Sequence, residues 1–145
     1  MRIYFDNCCF NRPFDDQLQI RVRLESEAKL EIQGEIRAGK IEVVWSYVLD
    51  FENANNPYRE RQQQINDFKH YAVQDIEETS KILAVAESIM NRQIHQMDAL
   101  HLACAIISNC DYFLTTDDKI LNKSENVGEI TIVDPIVFII EELSR

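Results

Sequence analysis

Arg2-Ile3-Tyr4-Phe5-Asp6 decides the fold. It is a short apolar and aromatic run that reads as a buried strand, and it ends on a carboxylate. The same construction returns at Tyr112-Phe113-Leu114-Thr115-Thr116, which Asp117 follows directly. Two more strands are predicted at Ile41 to Trp45 and at Ile130 to Val133. Helical segments separate these runs. Strands alternating with helices predict an α/β fold, a three-layer αβα sandwich with a mostly parallel central sheet. In such a sheet the carboxyl ends of the strands line one crevice, and ligand sites form there. An acid placed directly after a strand points to that crevice.

The remaining elements follow from periodicity and caps. Asn7 to Asp16 reads as a loop with turn chemistry at Asn11-Arg12-Pro13. Gln17 to Ala38 reads as one long helix with an apolar stripe of Ile20, Leu24, Ala28, Ile32 and Ile36, ended by Gly39. Val22 and Leu30 lie off that stripe, as apolar surface beyond what one core needs. Ser46 is placed to cap a short helix running to about Asn53. Tyr58 to Lys69 is a polar helix with a thin apolar edge at Ile65 and Phe68. Gln74-Asp75-Ile76-Glu77-Glu78 reads as the start of another helix, with acids at its positive end and Ile82, Ala86 and Ile89 on its apolar face. His95 to Asn109 is apolar on most sides and therefore central. Asp117 to Lys123 is a short helix or turn, and Asp134-Pro135 begins a final helix through Glu142.

Composition bounds the function. The 145 residues fit one domain, 1–145, and the 46% hydrophobic content lies well above the disordered range. The longest apolar run, Ile136 to Ile140, is far too short to span a bilayer. Asp6 interrupts the only early apolar run, so no signal peptide is expected and a cytoplasmic location follows. Cys8, Cys9, Cys104 and Cys110 form no Cys-x-x-Cys pair and read as reduced thiols. A net charge of −10 argues against broad non-specific binding to nucleic acid, which needs a positive surface. It leaves open an enzyme that holds an anionic substrate through metal ions.

Four carboxylates stand out: Asp6, Glu52, Asp98 and Asp117. Each has a structural reading. Asp6 satisfies a strand-end turn, Asp98 favours the positive end of a helix, Asp117 caps the helix after its strand, and Glu52 is a solvated helix acid. Their joint placement points elsewhere. Asp6 and Asp117 both follow apolar strands, and Asp98 lies in an apolar helix where a lone carboxylate is costly. Clustered carboxylates repel, and a divalent cation neutralises them.

Asp6-Asn7 after the first strand, Ser46 with Glu52 six residues later, Asp98-Ala99-Leu100-His101-Leu102-Ala103, and Leu114-Thr115-Thr116-Asp117 resemble the four signature segments of PIN-domain ribonucleases of the VapC-like toxin type. Their order and spacing match, from residue 2 to about residue 121. The resemblance implies an αβα sandwich and an acidic cluster that hydrolyses RNA with Mg²⁺ or Mn²⁺. It makes Asp6, Glu52, Asp98 and Asp117 the metal-binding acids, with Asn7, Ser46 and Thr115 as accessory positions. Asn7 stands where the family most often has Thr or Ser. The implied chemistry is metal-assisted phosphodiester hydrolysis, in which an ion generates the nucleophilic water and stabilises the attacking and leaving oxygens. Implied partners are single-stranded or loop RNA, an antitoxin-like protein and a second copy of the chain.

Other residues read more plainly. Asp118 beside Asp117 is an extra acid that either assists the site through water as an accessory residue or is simply solvated, the commoner case, and Asp50 cannot share a helix face with Glu52. His101, three residues after Asp98, can approach the site, but a packed or hydrogen-bonded histidine is the commoner case; His70 and His95 read as solvent-facing, and Trp45 as core. Arg12, Arg59 and Arg61 form a candidate phosphate-binding rim. A groove between the long helix and the Tyr58–Lys69 helix suits an amphipathic partner segment. A catalytically weak or inactive PIN-like protein-binding module stays open: the −10 charge and Asn7 favour it, and the four acids speak against it. An aspartyl phosphatase of the haloacid dehalogenase type needs Asp-x-Asp after the first strand, where this chain has Asp6-Asn7-Cys8.

Overall fold

Five parallel strands, in the order β3-β2-β1-β4-β5, form the centre of the computed structural model, which describes residues 1–144. They are β1 (Arg2–Phe5), β2 (Glu42–Ser46), β3 (Gln74–Ile76), β4 (Tyr112–Leu114) and β5 (Thr131–Val133). Helices flank the sheet: α1 (Asn7–Asn11), α2 (Ile20–Arg37), α3 (Tyr47–Ala54), α4 (Arg59–Phe68), α5 (Ser80–Met90), α6 (Gln96–Ile107), α7 (Asp118–Leu121) and α8 (Pro135–Phe138). A π-helical turn over Ile139–Leu143 continues α8. Ile3, Tyr4, Phe5, Val43, Val44, Trp45, Phe113 and Leu114 are buried almost completely, which is why β1, β2 and β4 carry near-continuous apolar runs.

The order of the strands creates the crevice. From β1 the chain moves outward through β2 and β3, then returns to β4 on the other side of β1. The switch point therefore lies between β1 and β4, where Phe5 pairs with Leu114. Asp6 and Thr115 are the next residues on each strand, and the Asp6 amide donates to the Leu114 carbonyl at 2.9 Å.

Three expected elements differ. Asn7 to Asn11 is a helix rather than loop, because the Asp6 carboxylate caps it and Cys9 and Phe10 bury against the core. The 3₁₀ turn Arg12–Phe14 follows it, with Pro13 near its start. Gln74 to Ile76 is a strand and not a helix start. It pairs with Val44, Trp45 and Ser46, and the next helix begins only at Ser80, capped by the Thr79 hydroxyl. Gln74 and Asp75 are exposed on this edge, so the strand has no apolar pattern to announce it.

The buried face of α2 is also rotated from the expected stripe. Ile20 and Leu24 are exposed, whereas Val22, Glu25, Ser26, Ala28, Lys29, Ile32, Gln33 and Ile36 are buried. A four-residue spacing drifts by about 40° per step on a 3.6-residue helix, so Ile20 and Ile36 sit roughly 160° apart. Val22 is thus core rather than surplus surface, while Leu30 is exposed as expected. Gly39 ends the segment at φ 76°, the left-handed conformation that favours glycine. Among the described residues, no helix is long and apolar enough to cross a membrane.

Candidate metal centre

Asp6 is fixed on both oxygens. The Asn7 amide donates to Oδ1 at 2.8 Å, and the Thr115 hydroxyl donates to Oδ2 at 2.8 Å. The Cys8 thiol also approaches Oδ2, at 3.4 Å. Thr115 in turn accepts from the Asp117 amide at 3.1 Å. One threonine hydroxyl therefore ties the ends of β1 and β4 together. Asp117 caps α7 by accepting from the Lys119 amide, so its predicted capping role holds.

Glu52 reaches the same crevice from α3. Its carboxylate meets His101 Nε2 of α6 in a short contact, and the same nitrogen stands 3.8 Å from Asp6 Oδ1. One ligand atom from each of Asp6, Glu52 and His101 lies within 4.8 Å of the other two. Behind the ring, His101 Nδ1 is 2.6 Å from the Tyr4 hydroxyl, which is 2.6 Å from Ser46 Oγ. Ser46 caps α3 by accepting from the Leu49 amide, as its sequence position predicts. It reaches the acids only through Tyr4 and His101.

Asp98 opens α6 on the same rim. Burial, then the charges of Asp6 and Asp117, push its carboxyl from 3.8 up to about 6. Burial disfavours the charged His101 ring. The hydrogen bond that the ring donates to Glu52 and the charges of Asp6, Glu52 and Asp98 outweigh that and raise its pKa. Among the described residues, no lysine or arginine lies within ion-pair distance of Asp6, Glu52, Asp98 or Asp117, whose only ion-pair partner is His101. Burial with no lysine or arginine beside it is the environment of a carboxylate cluster that takes up metal. The donor set of carboxylates and one imidazole fits a divalent ion.

The other expected residues are spread more widely. Asp118 is exposed and forms a bidentate pair with Arg21 of α2 at 2.8 Å, pulling its carboxyl below the usual range. Asp50 points away from the crevice, to Trp45 Nε1 and Lys69. Arg12 is engaged by Asp15 and Glu25, and Arg61 by Asp15, the Phe14 carbonyl and the rings of Tyr58 and Phe14. Asp15 draws both arginines inward, so of the expected rim only Arg59 stands free on the surface of α4. Trp45 is core, and His70 and His95 are exposed.

Sequence reading passed over Tyr4 and Cys8. A tyrosine in an otherwise apolar strand is a usable signal, because a buried hydroxyl needs a partner. Cys8, two residues after Asp6, carries no comparable signal.

No family model matches the sequence, and comparison with curated proteins gives no match. A solved structure is similar: a chain of VapBC2 from Rickettsia felis, bound to a DNA fragment from the promoter of its own genes. The TM-score is 0.59 at 11% identity, over 92% of this chain and 98% of that one. With five parallel strands in this order and flanking helices along nearly its whole length, the chain has a VapC-like PIN fold.

Proposed function

We propose that the chain is a divalent-metal-dependent endoribonuclease of the VapC-like toxin kind, acting as one domain over residues 1–145. The observation that carries this reading is Asp6 beside Glu52 at the switch point, with Asp6 and Asp117 close enough to raise the Asp98 carboxyl and, among the described residues, no lysine or arginine to balance them. Asp6, Glu52, Asp98 and Asp117 hold Mg²⁺ or Mn²⁺. When bound, the ion supplies a water of lowered pKa and charge stabilisation at the phosphoryl oxygens. Thr115 and the Asn7 amide fix the direction of Asp6. Asp98, raised to about 6 in the metal-free chain, would give up its proton when the ion binds.

Single-stranded or loop RNA is the substrate class. A chain of net charge −10 has little to hold a duplex with, and an A-form helix hides its base edges from a crevice. The similar chain belongs to the VapBC2 complex, and an antitoxin-like partner is proposed here on the same footing. A groove of about 510 Å³ between α2 and α4, walled by Phe10, Leu30, Ile65, Phe68 and Tyr71, fits an amphipathic segment. A second apolar hollow at Tyr47, Phe51, Met97 and Leu100 supports self-association, with Phe51 58% exposed. Cytoplasmic action completes the proposal.

The test is cleavage of mixed RNA with Mn²⁺ by wild type and Asp6→Asn. Wild type is expected to cut single-stranded regions, and the variant to lose most of that activity. Equal cutting by both proteins, or none by wild type, contradicts the reading.

A further inference from the structure

His101 is the residue in the crevice that an all-carboxylate centre does not require. It is fully buried, and its ring is fixed from behind. The Tyr4 ring packs edge-on against it at 5.6 Å between centroids, and the Tyr4 hydroxyl holds Nδ1. That hydroxyl is bonded to Ser46, which the Leu49 amide holds in place. A ligating histidine is typically held in this way, its second nitrogen engaged by a fixed partner that sets tautomer and ring direction. With Nδ1–H donating to Tyr4 and Tyr4 donating to Ser46, both of those protons have acceptors. Nε2–H then donates to Glu52, and an ion that displaces this proton meets the Nε2 lone pair beside Glu52 and Asp6.

A shared ion would take the place of the direct Nε2–Glu52 contact and draw the three donors around itself. Ligand atoms at about 2.0–2.2 Å from one ion stand at most roughly 4.4 Å apart. Nε2 is 3.8 Å from Asp6 Oδ1, and the three donors lie within 4.8 Å of one another. Small side-chain adjustments would bring all three onto one centre.

Resting on the nuclease reading above, we propose that His101 Nε2 is a direct ligand of the ion held by Asp6 and Glu52, which makes the centre selective for Mn²⁺ or later transition ions over Mg²⁺. An imidazole nitrogen suits such ions, whereas Mg²⁺ prefers carboxylate and water oxygens.

The test reads coordination rather than activity. His70 and His95, both exposed, are replaced in His70→Gln/His95→Gln, leaving His101 as the sole one of three histidines. Tag-free protein is loaded with Mn²⁺ and studied by electron spin-echo modulation, unlabelled and with [¹⁵N]histidine. The expected result is a ¹⁴N imidazole coupling that becomes a ¹⁵N coupling on labelling. In isothermal titration, His101→Gln should weaken Mn²⁺ binding about tenfold or more and leave Mg²⁺ binding nearly unchanged. Asp6-dependent Mn²⁺ binding with no histidine coupling overturns the proposal and leaves the nuclease reading standing, since His101 then only props Glu52. Absence of Mn²⁺ binding overturns both. If His101→Gln does not fold, the isotope experiment alone decides.

Discussion

Two buried acidic positions in this molecule are handled in opposite ways. Glu25, on α2, is 1% exposed and sits between Arg12 at 3.1 Å and Arg21 at 3.5 Å. Burial pushes its carboxyl up, and the two arginines pull it back. Arg21 continues to Asp118, so charge alternates in sign from α1 to the start of α7. At the carboxyl ends of β1 and β4, by contrast, Asp6 and Glu52 meet one histidine, Asp98 and Asp117 lie near enough to act through their charge, and among the described residues no arginine or lysine pairs with any of the four. Balanced charge around Glu25 is what a structural ion pair needs. Carboxylates without a lysine or arginine beside them repel one another until a cation arrives, and that difference is what the proposed metal centre rests on.

The largest expected effect is on the balanced side. Glu25→Gln leaves two guanidinium groups facing each other over a buried amide. Removing one partner of a buried pair costs about 3–5 kcal/mol, and the partial exposure of Arg21 reduces this here to about 2–3 kcal/mol. Urea unfolding measures it. A loss below about 0.5 kcal/mol would mean the Glu25 network is no more structural than a surface pair.

On the unbalanced side the sign reverses. Asp98 keeps its proton up to about 6 in the folded chain against an ordinary 3.8. Between these values the folded state binds more protons than the unfolded state, so stability is present below about pH 4 and lost as pH rises through about 6. Asp98→Asn should therefore stabilise the metal-free protein at pH 7.5 by about 1 kcal/mol, after allowing for solvent screening at a half-buried site. The gap from wild type should close as pH falls toward 4. Thermal melting in the presence of a chelator checks this, and an Asp98→Asn variant less stable than wild type at pH 7.5 would show that the cluster is not strained.

The sequence made the crevice readable because its acids follow uninterrupted apolar strands. Asp6 after Phe5 and Asp117 after Thr116 need no tertiary information to be noticed. β3 was not readable, since three residues on an edge carry no pattern that outweighs the helix-like acids after them. The face of α2 was misread because a four-residue stripe looks periodic in sequence while its side chains rotate around the axis. The link from Ser46 through Tyr4 and His101 to Glu52 joins residues 42, 97 and 49 positions apart, and nothing local couples them. His101 is packed and hydrogen-bonded, and it also approaches the acids, as its three-residue spacing from Asp98 allowed; which acids it meets needed the fold.

The most direct test of the account is isothermal titration of Mn²⁺ into wild type, Asp6→Asn and Glu25→Gln at matched ionic strength. The account predicts saturable binding by wild type, lost in Asp6→Asn and kept in folded Glu25→Gln. Metal at a hundredfold excess over its Kd should add about 2.7 kcal/mol to wild-type stability. Binding that survives in Asp6→Asn as in wild type, or that disappears with Glu25→Gln instead, would contradict the claim that the crevice at β1 and β4 is the metal centre.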